Sequence, residues 1–163
     1  MIYVIYVQSG SETTVMYSMR ELGYTAYVPR ELYKYRKKGV WHEEIRPLFD
    51  GYIFFQTDRL TADDYYTIRK IHGVGNFVSK TTCLSCTEEE YIIGLCRNPD
   101  ILKVSKGHII ENGVLKIDSG YLKCYEHKIV KFSRRQHKAV IEITLYGEPH
   151  RITCAVDIDK CSN

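Results

Sequence analysis

The sequence predicts an α+β fold in two parts: an N-terminal antiparallel sheet of the split βαβ type, with helices on one face, and a small C-terminal β-barrel. Two observations lead to this prediction. Residues 1–98 alternate between strand-like runs and segments with helical periodicity. From residue 107 the helical period is lost, and short alternating runs such as "GVLKI" and "KAVIEITLY" are separated by turn residues.

The first strand and helix are predicted from a β-rich run and a capping signal. "IYVIYV" at residues 2–7 consists of β-branched and aromatic residues, which favour strands. Ser9 and Glu12 have the spacing of a capping box, in which each side chain bonds the other residue's backbone. The helix carries its apolar residues at helical spacing and ends at Gly23; these residues are Val15, Met16, Met19 and Leu22.

The next strands form a predicted hairpin. "TAYVPRELYKY" is strand-like, and Pro29 within it indicates an edge position or a bulge. "RKKG" at residues 36–39 predicts the hairpin tip, and "VWHEEI" leads back towards a further strand in "RPLFDGYIFF".

Two more helices complete the N-terminal order β-α-β-β-α-β-α. Thr61 with Asp64 predicts the start of the second helix, which is followed by the short strand "VGNFVS". Thr87 with Glu90 predicts the start of the third helix, which ends at Asn98-Pro99.

The chain is therefore divided into residues 1–98, a linker at 99–106 and a second domain at 107–163. Charge follows the same division. Residues 1–98 carry twelve basic and twelve acidic side chains, whereas residues 99–163 carry eleven basic and eight acidic ones. The run "KIVKFSRRQHK" at 128–138 contains five basic residues and no acidic one, so it is a candidate nucleic-acid patch.

Several protein classes are excluded by what the sequence lacks. It contains no run of 18 apolar residues and no signal-peptide pattern, so we expect a cytoplasmic protein that does not enter a membrane. The six cysteines are expected to be reduced thiols rather than disulfides. Cys83 and Cys86 form a single C-x-x-C, and only Cys96 and His72 could complete a zinc site, so no metal is predicted.

The chain also lacks the motifs of an enzyme. It has no G-x-S-x-G, no H-E-x-x-H and no phosphate-binding glycine loop, so we predict neither catalytic residues nor a cofactor. An enzyme on a split βαβ sheet stays as an alternative by fold analogy alone, and it would need a pocket with convergent polar groups.

The segment "RPLFDGYIFF" at residues 46–55 is apolar on both faces. If it is a strand, Tyr52 and Phe54 lie on one face, and Ile53 and Phe55 lie on the other. One face must meet the protein's own core. The other is covered either by the chain's own helices or second domain, or by a partner.

These fragments in this order resemble the NusG family of transcription elongation factors. "IYVIYVQSG", "GYTAYVPRE", "KGVW", "RPLFDGYIFF" and "IHGVGNFV" are similar to its N-terminal domain. "DSGYLKCYEHKIVKFSRRQHKAVIEITLYG" looks like its KOW domain, an SH3-like barrel. Within the family, the layout and the basic barrel are most similar to LoaP-type antiterminators.

The resemblance implies a binding site for RNA polymerase. In NusG-like proteins an apolar depression on the N-terminal sheet seats the clamp helices of the largest polymerase subunit. The matching positions are Tyr6, Phe49, Tyr52 and Phe54. A helix-start triplet that touches the opposite polymerase subunit in some relatives corresponds to Asp64, Tyr65 and Tyr66, which differ from it in chemistry. The chain is expected to be a monomer that works by binding.

The basic barrel has two possible roles. General NusG barrels contact Rho or the ribosome, whereas LoaP-type barrels are expected by resemblance to bind an RNA hairpin in the transcript leader. The candidate RNA-binding residues are Lys128, Lys131, Arg134, Arg135, His137 and Lys138. The same cluster would also serve as a solubilising turn.

Two further features qualify the resemblance. Lys34, Arg36, Lys37 and Lys38 form a second basic patch, which either contacts upstream DNA or solubilises the hairpin tip. The KOW turn "GPxxGxxG" is replaced by "GYLKCYEH" from Gly120 to His127, which keeps only the first glycine. The turn must therefore be rebuilt, and contacts with Rho or the ribosome through it are in doubt.

Overall fold

The computed structural model describes residues 1–96 and 101–159. Its elements in chain order are β1 Ile2–Val7, α1 Glu12–Glu21, β2 Thr25–Tyr27, β3 Arg30–Lys37, β4 Val40–Pro47, β5 Tyr52–Gln56, α2 Ala62–Arg69, β6 Val74–Phe77, α3 Cys86–Cys96, β7 Ile101–Leu102, β8 Ser105–Ile109, β9 Leu115–Ser119, a 3-10 helix Tyr121–Lys128, β10 Ile129–Ser133, β11 Lys138–Leu145 and β12 Glu148–Asp159.

The chain forms two compact units. The first unit comprises Met1–Pro29 and Phe49–Arg97, and the second comprises Arg30–Leu48 and Asn98–Asn163. The hairpin of β3 and β4 thus belongs to the unit that holds the C-terminal strands, although the sequence analysis assigns it to the N-terminal domain. The division into 1–98, 99–106 and 107–163 remains a sequence-based proposal.

The first unit is built on a four-stranded antiparallel sheet in the order β2-β5-β1-β6. One face packs on α1 and α2 in a core that includes Ile5, Ile53, Phe55, Met16 and Ile68. Phe77 on β6 is also buried in this core. The sheet agrees with the predicted split βαβ arrangement.

Only one of the three predicted capping boxes forms at the predicted residues. The Thr61 hydroxyl accepts from the Asp64 N–H at 3.1 Å, and Asp64 accepts from the Thr61 N–H at 2.9 Å. The box at α3 lies two residues earlier than predicted, because Ser85 and Glu88 bond each other's backbone. The predicted end of α3 at 98–99 lies outside the described residues.

The prediction of a box at Ser9 and Glu12 is wrong. Ser11 is the N-cap of α1, and its side chain makes no capping hydrogen bond. Ser9 instead donates to Asp50 at 2.7 Å, and Glu12 accepts from the N–H of Gly51 at 2.8 Å. Both side chains therefore bond the turn before β5. They are then not available to cap the backbone N–H groups of α1.

The second unit contains a five-stranded sheet in the order β10-β11-β12-β8-β9, in which only the pair β12–β8 is parallel. A second sheet of this unit contains β4, β3 and β7. The predicted linker 99–106 thus contains a strand that pairs with β3 and the start of β8. The β-rich character agrees with the prediction.

The segment from Tyr121 to Lys128 forms a 3-10 helix, which the loss of helical periodicity after residue 107 did not predict. Leu122 and Tyr125 are buried and fix the inner face of this helix. Gly120 precedes it with φ of 98°, and a Cβ there would lie 2.5 Å from the Ser105 hydroxyl oxygen. The helix is how the chain rebuilds a turn that has lost its other glycines.

Candidate functional site

Two tyrosines mark the face of the first sheet that α1 and α2 leave uncovered. Tyr6 on β1 pairs in register with Tyr52 on β5, and their ring centroids are 4.9 Å apart. Tyr6 is 43% exposed, and Tyr52 is half-buried. Burial, together with a hydrogen bond to Tyr6, raises the pKa of Tyr52 to about 12. The pair is a neutral aromatic surface that solvent can reach.

The expected shelf of four accessible rings is smaller than predicted. Phe54 is 0% exposed and Phe49 is 5% exposed, with their rings 5.0 Å apart in a T-shaped contact. Val4, which pairs with Phe54 in register, is buried as well. This face is therefore covered at Phe54 and open at Tyr6 and Tyr52. The alternation of residues along a strand assigns each side chain to a face, but it does not show which part of that face is covered.

The triplet at the start of α2 separates into three different environments. Asp64 accepts hydrogen bonds from Thr61 and from the Tyr24 hydroxyl at 2.7 Å, and the bond from the Thr61 side chain is the main cause of its lowered pKa. Tyr65 packs 4.9 Å from Phe77 at the edge of the core. Only Tyr66 presents most of its surface to solvent.

The residues of the basic run on β10 and β11 also lie in different environments. Lys131, Arg134 and Arg135 are exposed, and none of them forms an ion pair within residues 1–96 and 101–159. His137 Nδ1 lies 3.2 Å from Asp157 Oδ1, and Lys138 Nζ lies 5.3 Å from the centre of the Tyr33 ring. These last two side chains contact their own unit.

Lys128 is the last residue of the 3-10 helix and is half-buried. It already interacts with another group of the protein. It is thus not equivalent to the three exposed cations of the strand and turn. The sequence alone cannot separate the two groups, because all six residues lie within eleven positions of each other in one basic run.

The second basic patch lies on the hairpin of β3 and β4. Lys34 pairs with Glu43 at 3.2 Å, and Arg36 donates to the Gly39 carbonyl at 3.1 Å. Lys37 and Lys38 at the tip are exposed. Because this hairpin belongs to the second unit, its patch lies in the same compact unit as the turn 134–137.

Trp41 joins the two patches, and the sequence analysis did not identify it. Its ring makes a T-shaped contact with His137, with centroids 5.0 Å apart. The only sequence signal was the presence of one tryptophan beside a basic hairpin tip, which is too weak to indicate a contact with a residue almost 100 positions away.

A buried carboxylate, also missed from the sequence, fixes β3 to the C-terminal strands. Glu31 accepts from the Tyr121 hydroxyl at 2.8 Å, from the Ala155 N–H at 3.0 Å and from Arg46 at 3.0 Å. Arg46 also donates to the Thr153 carbonyl at 2.8 Å. Burial raises the pKa of Glu31 from 4.5, and these donors oppose that effect.

The described residues contain no group of three or more His, Cys, Asp or Glu side chains that could hold a metal ion. Cys83, Cys86, Cys96, Cys124 and Cys154 are free thiols, and Cys161 lies outside the described residues. Among the described helices, none has the length and apolar character needed to cross a membrane.

Comparison with known proteins agrees with this architecture. The family model described as "Transcription termination factor nusG" matches residues 2–93. A solved structure on domain interaction in Thermotoga maritima NusG is 19% identical, covers 94% of this chain and 92% of its own, and has a TM-score of 0.56.

A second structure, of an MjSpt4:Spt5 complex, is 15% identical over 95% of this chain and 93% of its own, with a TM-score of 0.35. No curated protein sequence matches the chain significantly. The family match covers more than half of the 163 residues, including both tyrosines of the exposed pair. The chain therefore belongs to the NusG family of transcription factors, whose members are not enzymes.

Proposed function

We propose that this protein is a LoaP-type transcription antitermination factor. Its first unit binds the clamp helices of RNA polymerase, and its second unit binds an RNA hairpin in the transcript leader. The observation that carries the proposal is the set of three exposed cations, Lys131, Arg134 and Arg135, on a hairpin next to an exposed tryptophan. The protein acts in the cytoplasm as a monomer, without a cofactor.

The polymerase surface is centred on Tyr6 and Tyr52. A helical hairpin that lies on an apolar sheet face is a recurring recognition mode, and tyrosines are enriched among the residues that dominate such interfaces. Phe49 and Phe54 are buried, so they do not touch the partner in this conformation. Tyr66 is the member of the α2 triplet that can reach the opposite polymerase subunit.

The effect on transcription follows from linkage. A factor that binds the closed clamp of the elongating polymerase better than the open clamp shifts the polymerase towards the closed state by its differential affinity. Pausing and hairpin-driven termination require the clamp to relax. Both are therefore suppressed without any covalent chemistry.

RNA selection is assigned to the hairpin of β10 and β11. Cations on a strand and turn can follow phosphates across an A-form helix, whose unpaired loop carries the sequence information. Three phosphate contacts give a slope of log K against log salt of about −2 to −3. Lys128, His137 and Lys138 are weaker candidates for RNA contact, because each already interacts with another group of the protein.

The alternative is a general NusG-type elongation factor whose C-terminal domain binds Rho or the ribosome. The rebuilt turn disfavours it, since Tyr121–Lys128 is a 3-10 helix with its apolar residues buried rather than an open glycine loop. Contact of Lys34, Arg36, Lys37 and Lys38 with upstream DNA is a further proposal. Lys37 and Lys38 are the better candidates for it, because Lys34 and Arg36 already bond within the hairpin.

A transcription assay tests the proposal. Purified polymerase transcribes a template that carries a terminator, with or without the cognate leader, and read-through is measured. We expect Tyr52→Ala to abolish read-through on both templates. The double variant Arg134→Ala, Arg135→Ala should remove only the part that depends on the leader.

A charge-matched double variant, Lys106→Ala with Lys123→Ala, serves as the control, since both lysines are exposed elsewhere in the second unit. Equal read-through by the parent and both test variants would contradict both site assignments. If the double variant Arg134→Ala, Arg135→Ala also loses read-through on the template without the leader, the result would favour the general elongation factor.

A further inference from the structure

An open groove of about 490 Å³ lies within the second unit between the hairpin of β3 and β4, His137 at the end of the turn 134–137, and residues 155–157 of β12. Trp41 and His137 line it, together with the ion-paired side chains of Lys34 and Glu43 and the carboxylate of Asp157. The groove thus combines one large aromatic surface with donors and acceptors on neighbouring walls. Neither basic patch alone contains this combination.

Trp41 is the only large aromatic ring that lines the groove among the described residues. It is 46% exposed, so part of the indole is open to solvent, and its T-shaped contact with His137 holds the ring in place. An indole that is fixed on one side and open on another is a stacking platform for a planar ligand.

The charges around the groove favour a phosphate-bearing ligand. Arg134 and Arg135 belong to the same turn as His137, whose N–H donates to the Arg134 carbonyl at 3.2 Å. Arg36 pairs in register with Trp41, so the two side chains share one face of the hairpin, whereas Lys37 pairs with Val40 and lies on the other face. Exposed cations therefore lie opposite Trp41 in register, at Arg36, and in the turn of its contact partner His137, at Arg134 and Arg135, whereas the carboxylates that line the groove are engaged by Lys34 and His137.

We propose that this groove binds one unpaired RNA nucleobase, stacked on the indole of Trp41, with the adjoining phosphates on Arg36, Arg134 and Arg135. The proposal deepens the proposed function and rests on it, because it names the part of the leader that is recognised. A paired base is already stacked and turns its edge to its partner, so the site selects an extruded or single-stranded base. The carboxylates of Glu43 and Asp157 can accept from base N–H groups or from the 2′-hydroxyl, which DNA lacks.

Trp41 is also the only tryptophan in the chain, so its fluorescence reports on this site directly. The probes are octamers of uridylate and of adenylate, the corresponding deoxyoctamers, a ribose-phosphate octamer without bases, and a blunt RNA duplex. We expect the RNA octamers to quench the fluorescence in a saturable way. The abasic octamer and the duplex should bind through their phosphates without quenching.

Affinity measured by a label on the RNA separates stacking from phosphate binding. Trp41→Ala should weaken the single-stranded octamers about 5- to 100-fold, as expected for the loss of one base–aromatic stack, and should leave the abasic octamer unchanged. Val40→Ala, on the same strand and also exposed, should change neither.

RNA binding without quenching, or equal affinity for the abasic octamer, would overturn the base site and leave RNA binding by the cationic hairpin intact. Equal affinity for the deoxyoctamers would overturn the assignment to RNA. If neither the octamers, the duplex nor the cognate leader binds, the base site and the RNA part of the proposed function fail together.

Discussion

Glu31 on β3 accepts a hydrogen bond of 2.8 Å from the hydroxyl of Tyr121, which lies 90 positions later in the 3-10 helix. The carboxylate is 1% exposed and satisfied by three donors, which include the guanidinium of Arg46. Arg46 is in turn stacked 3.3 Å above the Tyr33 ring. The β3–β4 hairpin is thus joined to the C-terminal strands by a polar network centred on Glu31, whose loss would remove an acceptor from all three donors.

Replacement of Glu31 should therefore destabilise the second unit strongly. We expect Glu31→Ala to lower the free energy of unfolding by about 3–5 kcal/mol, since it removes the carboxylate partner of the half-buried Arg46 and leaves the Tyr121 hydroxyl and the Ala155 N–H without this acceptor. Urea unfolding followed by Trp41 fluorescence measures this, because Trp41 lies on β4 of the same unit. Glu44→Ala, at an exposed position of β4, is the control and should change the value by less than about 0.5 kcal/mol. Equal stabilities of the two variants would mean that the network contributes nothing.

Gly120 and Gly113 provide a matched pair for testing the rebuilt turn. Both have positive φ, but a Cβ at Gly120 would lie 2.7 Å from the Ser105 Cα, whereas a Cβ at Gly113 would meet nothing within 4 Å. Gly113→Ala should cost only the backbone strain, about 1–2 kcal/mol. Gly120→Ala adds an overlap with backbone and should cost roughly 3 kcal/mol or more.

Thermal unfolding of the two glycine variants side by side gives the comparison. Equal melting temperatures would show that Ser105 and the start of the 3-10 helix move aside without cost. A larger loss at Gly120 would explain why this glycine alone persists in a turn that has lost the others.

The sequence was sufficient for features that depend on local chemistry and failed where distant groups compete. Thr61 and Asp64 form their capping box as predicted, because the distant donor Tyr24 bonds Oδ1 of Asp64 and leaves Oδ2 to Thr61. Ser9 and Glu12 have the same spacing, yet they bond Asp50 and Gly51, which only the folded sheet brings close. For the same reason strand alternation placed Tyr52 and Phe54 on one face but could not show that Phe54 is covered.

The candidate RNA surface was predictable only in part. The basic run pointed to the turn 134–137, and Arg134 and Arg135 in this turn are exposed. The contact of Trp41 with His137 depends on the packing of β4 against a turn almost 100 residues later in the same unit. Long-range contacts of this kind leave no periodicity in a single sequence.

Asp64 should make the stability of the first unit depend on acid pH. Its pKa is lowered below the ordinary 3.8 by hydrogen bonds from Thr61 and Tyr24, so the folded state favours the carboxylate. This contribution is present above the unfolded pKa and is lost as the pH falls through the lowered folded value. At pH 7 we expect Asp64→Asn to cost about 1 kcal/mol, as for the loss of a helix cap.

The difference between the parent and Asp64→Asn should therefore shrink when the pH is reduced below about 4. Urea unfolding at several pH values between 7 and 2.5 measures it. Asp63→Asn is the control. Asp63 lies in the same first turn, but the capping box is formed by Thr61 and Asp64. A difference that stays constant across this range would assign the effect to something other than the charge of Asp64.

Tyr52 should contribute more to polymerase binding than any exposed tyrosine outside the pair. If the clamp helices lie on the Tyr6–Tyr52 surface, Tyr52→Ala removes a half-buried ring at its centre and should weaken binding about 30-fold, equivalent to about 2 kcal/mol. Tyr17→Ala is the matched control, since Tyr17 is exposed on α1, on the opposite side of the sheet from the pair, and should leave the affinity unchanged. Affinity is measured with purified polymerase and, separately, with a peptide of the clamp helices.

Tyr52→Phe should keep most of the affinity, because the ring supplies the contact and the phenol already bonds Tyr6 within the protein. A similar loss for Tyr17→Ala, or no loss for Tyr52→Ala with both binding partners, would place the polymerase surface elsewhere on the first unit.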